Sequence, residues 1–220
     1  AELPGNNCGG CGFPGCDGLA AAIAAGTAPV NGCPVGGAPV ADKIAAIMGV
    51  ESGSSEKKVA FVKCKGTCDK TNVKYNYYGI TDCSMVTVAP GSGEKACAYG
   101  CMGYGSCVKA CQFDAIHVVD GVAVVDKEKC VACGKCVATC PKGLIELVPY
   151  KAEHLVQCSS HDKGPAVKKV CTAGCIGCTL CTKQCEFDAI HMENNVAVID
   201  YEKCTNCGKC AAKCPAKVIQ

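Results

Sequence analysis

The 220-residue chain holds 25 cysteines, no tryptophan and few aromatic residues, and its formal charge is +2. An odd cysteine count, with most cysteines in C-x2-C pairs, argues against a disulfide framework and for metal binding in a reducing compartment. The small net charge gives no case for nucleic-acid binding, and no apolar run reaches the roughly 18 residues of a membrane span. No charged segment followed by an apolar one marks a signal peptide.

Residues 1–50 read as a first, mainly helical unit. Cys8, Cys11, Cys16 and Cys33 are spaced C-x2-C-x4-C-x16-C, and Pro34 follows the last of them. Gly9, Gly10, Gly12 and Gly15 let the backbone wrap closely around a metal. These glycines and the closing Cys-Pro favour [4Fe–4S] over zinc. Helices are predicted over 17–25 and 41–48, the second presenting Ile44, Ala45 and Met48 on one face. Residues 51–57 (ESGSSEK) read as a polar linker.

Residues 58–100 begin with a strand-like run ending at Cys64 and then carry Cys68, Cys83 and Cys97. Lys57, Lys58, Lys63, Lys65, Lys70 and Lys74 cluster here. They form either an ordinary solvated face or a dock for an acidic electron donor.

Residues 101–150 and 151–220 repeat each other at an offset of 74. Cys101, Cys107, Cys111, Cys130, Cys133, Cys136 and Cys140 recur as Cys175, Cys181, Cys185, Cys204, Cys207, Cys210 and Cys214. Phe113–His117 recurs as Phe187–His191, and Val122–Val124 as Val196–Val198. Each copy contains C-x2-C-x2-C-x3-C-P, the ligand run of bacterial ferredoxins, in which the fourth cysteine serves the other cluster. A hairpin is predicted between the cysteine groups, around Asp120-Gly121 in copy one, and a short helix after each third cysteine. His117 and His191 belong to these hairpins as exposed side chains.

In copy two the spacing assigns Cys175, Cys178, Cys181 and Cys214 to one cluster, and Cys204, Cys207, Cys210 and Cys185 to its partner. In copy one, Cys130, Cys133, Cys136 and Cys111 make a complete set. The other set has Cys101, Cys107 and Cys140, with Tyr104 where copy two has Cys178. Either Cys97 supplies the fourth thiolate, or three cysteines hold [3Fe–4S] or an iron with a non-cysteine ligand. Alternatively, Cys97 joins Cys64, Cys68 and Cys83 in a sixth cluster. The repeat extends upstream, since Cys97 maps to Cys171 and the runs ending at Cys64 and Cys158 are alike; copy one then carries a 20-residue insertion. Cys158 and Cys171 lack two companions and read as buried free thiols. Gln112 and Glu186 stand where the ferredoxin run has proline, which removes no ligand.

The expected fold is α+β: tandem two-cluster bacterial ferredoxin-like modules preceded by a small mainly helical [4Fe–4S] domain. Five to six iron–sulfur clusters, mainly [4Fe–4S], are expected. Each four-thiolate centre carries about −2, so five of them bring the total charge to roughly −8. No nucleophile–base set, phosphate loop or flavin fingerprint is visible, so the chain alone reads as an electron wire.

The order of blocks, CGGCGFPGCDGLA…CPVGG followed by CAYGCMGYGSCVKAC and CIGCTLCTKQC, resembles the B subunit of the Rnf complex in its long clostridial form. The resemblance implies a subunit of an ion-translocating ferredoxin:NAD+ oxidoreductase. Such a subunit accepts electrons from reduced ferredoxin at the cytoplasmic face of the membrane and passes them to the others, with Na+ or H+ moved. The resemblance also implies an N-terminal membrane anchor not present in this sequence. The alternatives are a soluble polyferredoxin serving another oxidoreductase, and a non-redox zinc-binding module.

Overall fold

A computed structural model describes residues 2–53 and 56–220; the predicted linker therefore lies partly outside the described residues. Two helices open the chain, α1 (Cys16–Ala24) and α2 (Gly37–Met48). Helix α2 starts about one turn earlier than the sequence suggests, with Pro39 in its first turn, where a missing N–H costs nothing. It stops at Gly49, whose left-handed φ of 68° caps the helix. Leu19 and Ile23 of α1 pack against Ile44 of α2, with Cys11 and Cys33 at the edge of that cluster. Ala41, Ile44 and Ala45 are buried, whereas Met48, expected on the same face, is exposed.

Strand β1 (Lys58–Val62) pairs antiparallel with β4 (Ile145–Pro149), which closes copy one into a loop. Between them lie α3 (Cys83–Val86), α4 (Ser106–Ala110), the hairpin β2 (Ile116–Val119) and β3 (Val122–Val125), and α5 (Lys135–Thr139). The hairpin turns at Asp120 and Gly121, both at positive φ, as a two-residue turn matched to strand twist requires.

Copy two repeats the plan with α6 (Gly164–Val170), α7 (Leu180–Lys183), the hairpin β5 (Ile190–Glu193) and β6 (Val196–Ile199), and α8 (Lys209–Ala212). The counterpart of the β1–β4 ladder survives only as the bridge Val156–Ile219, extended by backbone bonds from Leu155 to Gln220 and from Gln157 to Val218. The short helices contain the third cysteine of each run and end one or two residues before the fourth.

Each copy has its own apolar cluster. Val59, Val148, Ile116 and Leu155 are central to the first, and Val218, Ile219, Ile190 and Val196 to the second, with Tyr201 packed against both. Among the described residues no buried core side chain is larger than leucine, isoleucine or methionine, and buried cysteines line both clusters. Among the same residues no helix is long and apolar enough to cross a membrane.

Candidate metal centres

The cysteine-bearing loops reverse sharply, so that the cysteines of a run point inward from one short segment. Gly134 and Gly208 make that reversal at φ 77° and 71°, just before α5 and α8.

Four cavities follow the pairing that ferredoxin spacing implies, with one substitution. Cys111, Cys130, Cys133 and Cys136 line the first, beside Phe113 and Ile116. Cys185, Cys204, Cys207 and Cys210 line its counterpart in copy two, where His154 is an additional wall residue. Cys175, Cys178, Cys181 and Cys214 line a third. The fourth is lined by Cys101, Cys107, Cys140 and Cys83.

In copy one the lining differs from both expected sets: Cys83 from the insertion, and not Cys97, stands with Cys101, Cys107 and Cys140. The reason lies in a polar clip. Asp82 caps α3 by accepting from the Ser84 amide at 2.9 Å. The Ser106 hydroxyl donates to Asp82 at 2.9 Å and accepts from the Cys83 amide at 2.8 Å. Ser106 begins α4, one residue before Cys107, so the clip ties Cys83 to the helix that carries a neighbouring thiol. These hydrogen bonds hold the Asp82 carboxyl below the ordinary carboxylate range, Ser106 contributing most. Tyr104 turns instead toward Tyr77, with ring centroids 5.8 Å apart, and burial with nearby Glu94 pushes its hydroxyl up to about 12.

A fifth cavity joins the two copies. Cys64 and Cys97 from copy one share it with Cys158 and Cys171 from copy two. Cys158 and Cys171 are thus not isolated thiols, and the set Cys64, Cys68, Cys83 and Cys97 does not assemble. Cys68 is exposed and lies against Gly121, while Cys83 belongs to the cavity above. Sequence reasoning missed this grouping because it sought four ligands within one copy. The signal was present in the equivalence of Cys64 with Cys158 and of Cys97 with Cys171.

In the N-terminal segment, Asn7 accepts from the Cys16 amide at 2.8 Å, and the Gly36 amide donates to Cys33 Sγ at 3.3 Å. The loop of Cys8 and Cys11 abuts copy one: a side-chain carbon on Gly10 would stand 2.6 Å from the Cys133 carbonyl oxygen. Only glycine permits that approach.

Backbone amides point at cysteine sulfurs throughout. Ala60 donates to Cys130 at 3.3 Å, Leu144 to Cys140 at 3.4 Å, and the equivalent Val218 to Cys214 at 3.4 Å. Such bonds favour thiolate over thiol and tune whatever the sulfur ligates. Left as thiols, the groups resist ionising. Burial first, and neighbouring thiols second, push Cys107 up to about 12 and Cys181 to about 11. Iron supplies the positive charge that would offset both effects. The donors surround cavities, and among the described residues no three His, Cys, Asp or Glu side chains gather closely enough to hold a single ion.

The expected lysine dock divides. Lys57 lies 3.8 Å from the Tyr150 ring centroid, Lys63 pairs with Glu146 at 3.0 Å, and Lys74 donates to the Gly91 carbonyl at 3.0 Å. Burial first, then the charges of Lys70 and Lys217, pushes the Lys65 ammonium down. His117 and His191 are half exposed beside Asp114 and Glu193.

Residues 3–35 match the family described as a putative Fe-S cluster, residues 106–151 the LdpA Fe-S cluster-binding domain, and residues 174–219 a 4Fe-4S dicluster domain. The chain is 53% identical, over its whole length, to the B subunit of the Na(+)-translocating ferredoxin:NAD(+) oxidoreductase complex of Acetobacterium woodii, of which it spans 66%. It is 48% identical to the B subunit of the ion-translocating oxidoreductase complex of Methanosarcina acetivorans, with 99% of this chain and 83% of that protein covered. It is 43% identical to the proton-translocating counterpart of Clostridium ljungdahlii, covering 99% and 78%. With relatives this similar along nearly all of its length, the chain belongs to the family of B subunits of Rnf complexes, the ion-translocating ferredoxin:NAD+ oxidoreductases.

Proposed function

We propose that this chain is the electron-collecting subunit of such a complex, taking single electrons from reduced ferredoxin and handing them to the membrane partners that reduce NAD+ and move Na+ or H+. The observation that carries this reading is the gathering of cysteines into sets of four around pockets, on a chain whose relatives bear that name. Four sets follow from the cavities: Cys83, Cys101, Cys107 and Cys140; Cys111, Cys130, Cys133 and Cys136; Cys175, Cys178, Cys181 and Cys214; and Cys185, Cys204, Cys207 and Cys210. Cys8, Cys11, Cys16 and Cys33 make a fifth by their spacing and the Fe-S family match over residues 3–35. A tetrahedral zinc site needs four sulfurs about 2.3 Å from one point. Thiols spread around a cavity suit a cubane of four irons better.

When bound, these clusters supply reversible one-electron chemistry. The chain's own residues do the rest: thiolates hold the iron, amide donors favour the more negative reduced state, and apolar walls exclude water. The close approach of Gly10 to Cys133 sets the N-terminal cysteines against the Cys111 set, which suits an exit toward the membrane partners at the cytoplasmic face. Lys65, Lys70 and Lys217 suit an entry surface, since a small acidic donor is steered by clustered positive charge.

The test reverses Lys65, Lys70 and Lys217 to glutamate. Reduction by ferredoxin should slow at least tenfold at low salt and lose most of its ionic-strength dependence, while dithionite reduces the variant as it does the parent chain. An unchanged ferredoxin rate and salt slope would move the entry surface elsewhere. Zinc in place of iron and sulfide in anaerobically prepared protein would overturn the electron-transfer reading itself.

A further inference from the structure

We propose that Cys64, Cys97, Cys158 and Cys171 hold one more [4Fe–4S] cluster, placed at the seam between the two copies and linking them. It rests on the reading of the chain as a cluster-bearing subunit and adds a site made jointly by both repeats. None of the three family matches, over 3–35, 106–151 and 174–219, reaches all four of these cysteines, and none reaches any of them.

The four cysteines line one cavity, and no other cysteine among the described residues lines it. The arrangement is two-fold in kind. Cys64 Sγ accepts from the Gly66 amide at 3.4 Å and from the Cys101 amide at 3.3 Å. Cys158 Sγ accepts from the Ser160 amide at 3.4 Å and from the Cys175 amide at 3.2 Å. These are equivalent residues of the two copies performing the same task. The Thr71 hydroxyl adds a contact of 3.6 Å to Cys171 Sγ.

Two glycines lie against these sulfurs. Positions for a side-chain carbon on Gly66 fall 3.5 Å from Cys171 Sγ and 3.6 Å from Cys64 Sγ, and on Gly100 3.5 Å from Cys97 Sγ and 3.7 Å from Cys64 Sγ, so backbone of copy one runs past thiols of both copies. Lys95, only 7% exposed, is fixed beside this region by donating to the carbonyls of Gly66 at 3.1 Å and Gly121 at 2.6 Å. A buried ammonium needs negative charge nearby, and a cluster with four thiolates supplies about −2. Gln157 also lines the cavity with its Oε1 buried and unpaired. Turned over, that amide would offer N–H donors to a thiolate.

Within each copy, the second amide donor to the seam set belongs to a cysteine of a neighbouring set. Cys101 belongs to the copy-one cavity completed by Cys83, and Cys175 to the copy-two cavity with Cys178. One hydrogen bond therefore joins the seam set to each side, and the sites become a continuous row from copy two through copy one to the N-terminal cysteines. The cysteine count agrees: six sets of four account for all of the 25 except exposed Cys68.

The experiment uses the full chain reconstituted anaerobically with iron and sulfide. Its readouts are iron, sulfide and EPR of the oxidised and fully reduced states. The double variant Cys64→Ser/Cys158→Ser should lose about four irons and four sulfides per chain relative to the parent, and Cys68→Ser none. Spin coupling between the two modules in the fully reduced state should weaken with it. The single variant Cys171→Ser, which leaves three thiolates, should show a [3Fe–4S] signal or a shifted cluster spectrum, and this decides the matter if the double variant loses iron throughout. Unchanged iron, sulfide and spectra in the double variant, or unchanged spectra in Cys171→Ser, would overturn the seam cluster and leave the five-set reading standing. A parent chain that binds no iron at all would instead overturn that reading.

Discussion

Tyr104 and Cys178 occupy equivalent positions in the two copies, yet both copies surround a cavity with four cysteines. Copy two takes its fourth thiol from the loop itself, and Cys178 is exposed. Copy one takes it from a 20-residue insertion, and Cys83 is buried beneath Val86, Met102 and Tyr104. The surroundings differ as well. Copy one sets the half-buried Lys142 beside the site, its ammonium donating to the Gly100 carbonyl at 3.2 Å, where copy two has Ala216. Burial disfavours the extra charge of reduction, and a nearby cation favours it. The two copies thus differ in what tunes the cavity while keeping the number of thiols. A ligand position in the chain is not the same thing as a ligand position in space.

The comparison breaks most visibly at Cys83. Cys83→Ser should convert the copy-one cluster to a [3Fe–4S] form, with an oxidised-state EPR signal and about one iron lost per chain. Cys178→Ser should do the same in copy two. Cys97→Ser should leave the copy-one cluster intact and perturb only the seam. If Cys97→Ser rather than Cys83→Ser yields the [3Fe–4S] signal at the copy-one site, the assignment of Cys83 fails.

Much of this was legible in the residues. The duplicated ligand runs, the hairpin at Asp120-Gly121 and the two N-terminal helices all announce themselves through local spacing and turn chemistry. The fourth thiol of copy one did not. Cys83 lies 18 residues before Cys101, and what delivers it is the contact of Asp82 with Ser106, a pairing that no spacing rule marks. The seam escaped for a related reason. Cys64 and Cys158 each look incomplete within their own copy, and only the packing of one copy against the other completes them. Nothing in the spacing marks Lys95 either, which is buried against two carbonyls.

A weaker break concerns the clip rather than the ligand. Ser106 is buried, and Leu180 takes its place in copy two. Ser106→Ala leaves the Cys83 amide without its acceptor, and an unpaired buried donor costs about 1–3 kcal/mol. Every thiol stays in place, so the iron content of freshly made protein should be unchanged. Under chelator challenge the copy-one cluster should be lost about tenfold faster, and the copy-two clusters at their usual rate. Equal rates for both copies, with Ser106→Ala matching the parent, would show that the clip does not position Cys83.

The smallest expected effect lies at the helix starts. Gly105 precedes α4 at φ 73°, and the equivalent Thr179 precedes α7 at φ 58°. A left-handed backbone is free for glycine but costs a β-branched residue on the order of 1–2 kcal/mol. Glycine returns part of that gain, because ordering its looser chain costs roughly 0.5–1 kcal/mol more. The Thr179 side chain is exposed and makes no hydrogen bond, so little else is lost on removing it. Thr179→Gly should therefore stabilise copy two by about 0.5–1 kcal/mol, seen as two- to fivefold slower loss of its clusters on heating. The reverse change sharpens the comparison. A side-chain carbon on Gly105 would meet only ordinary contacts, with Val108 and Val118 at 3.7 Å. Gly105→Thr should thus cost copy one backbone strain alone, accelerating cluster loss by a similar factor without changing its EPR spectrum. Faster loss in Thr179→Gly would mean that the threonine makes an interaction outweighing its strain, and the two helix starts would then not be equivalent.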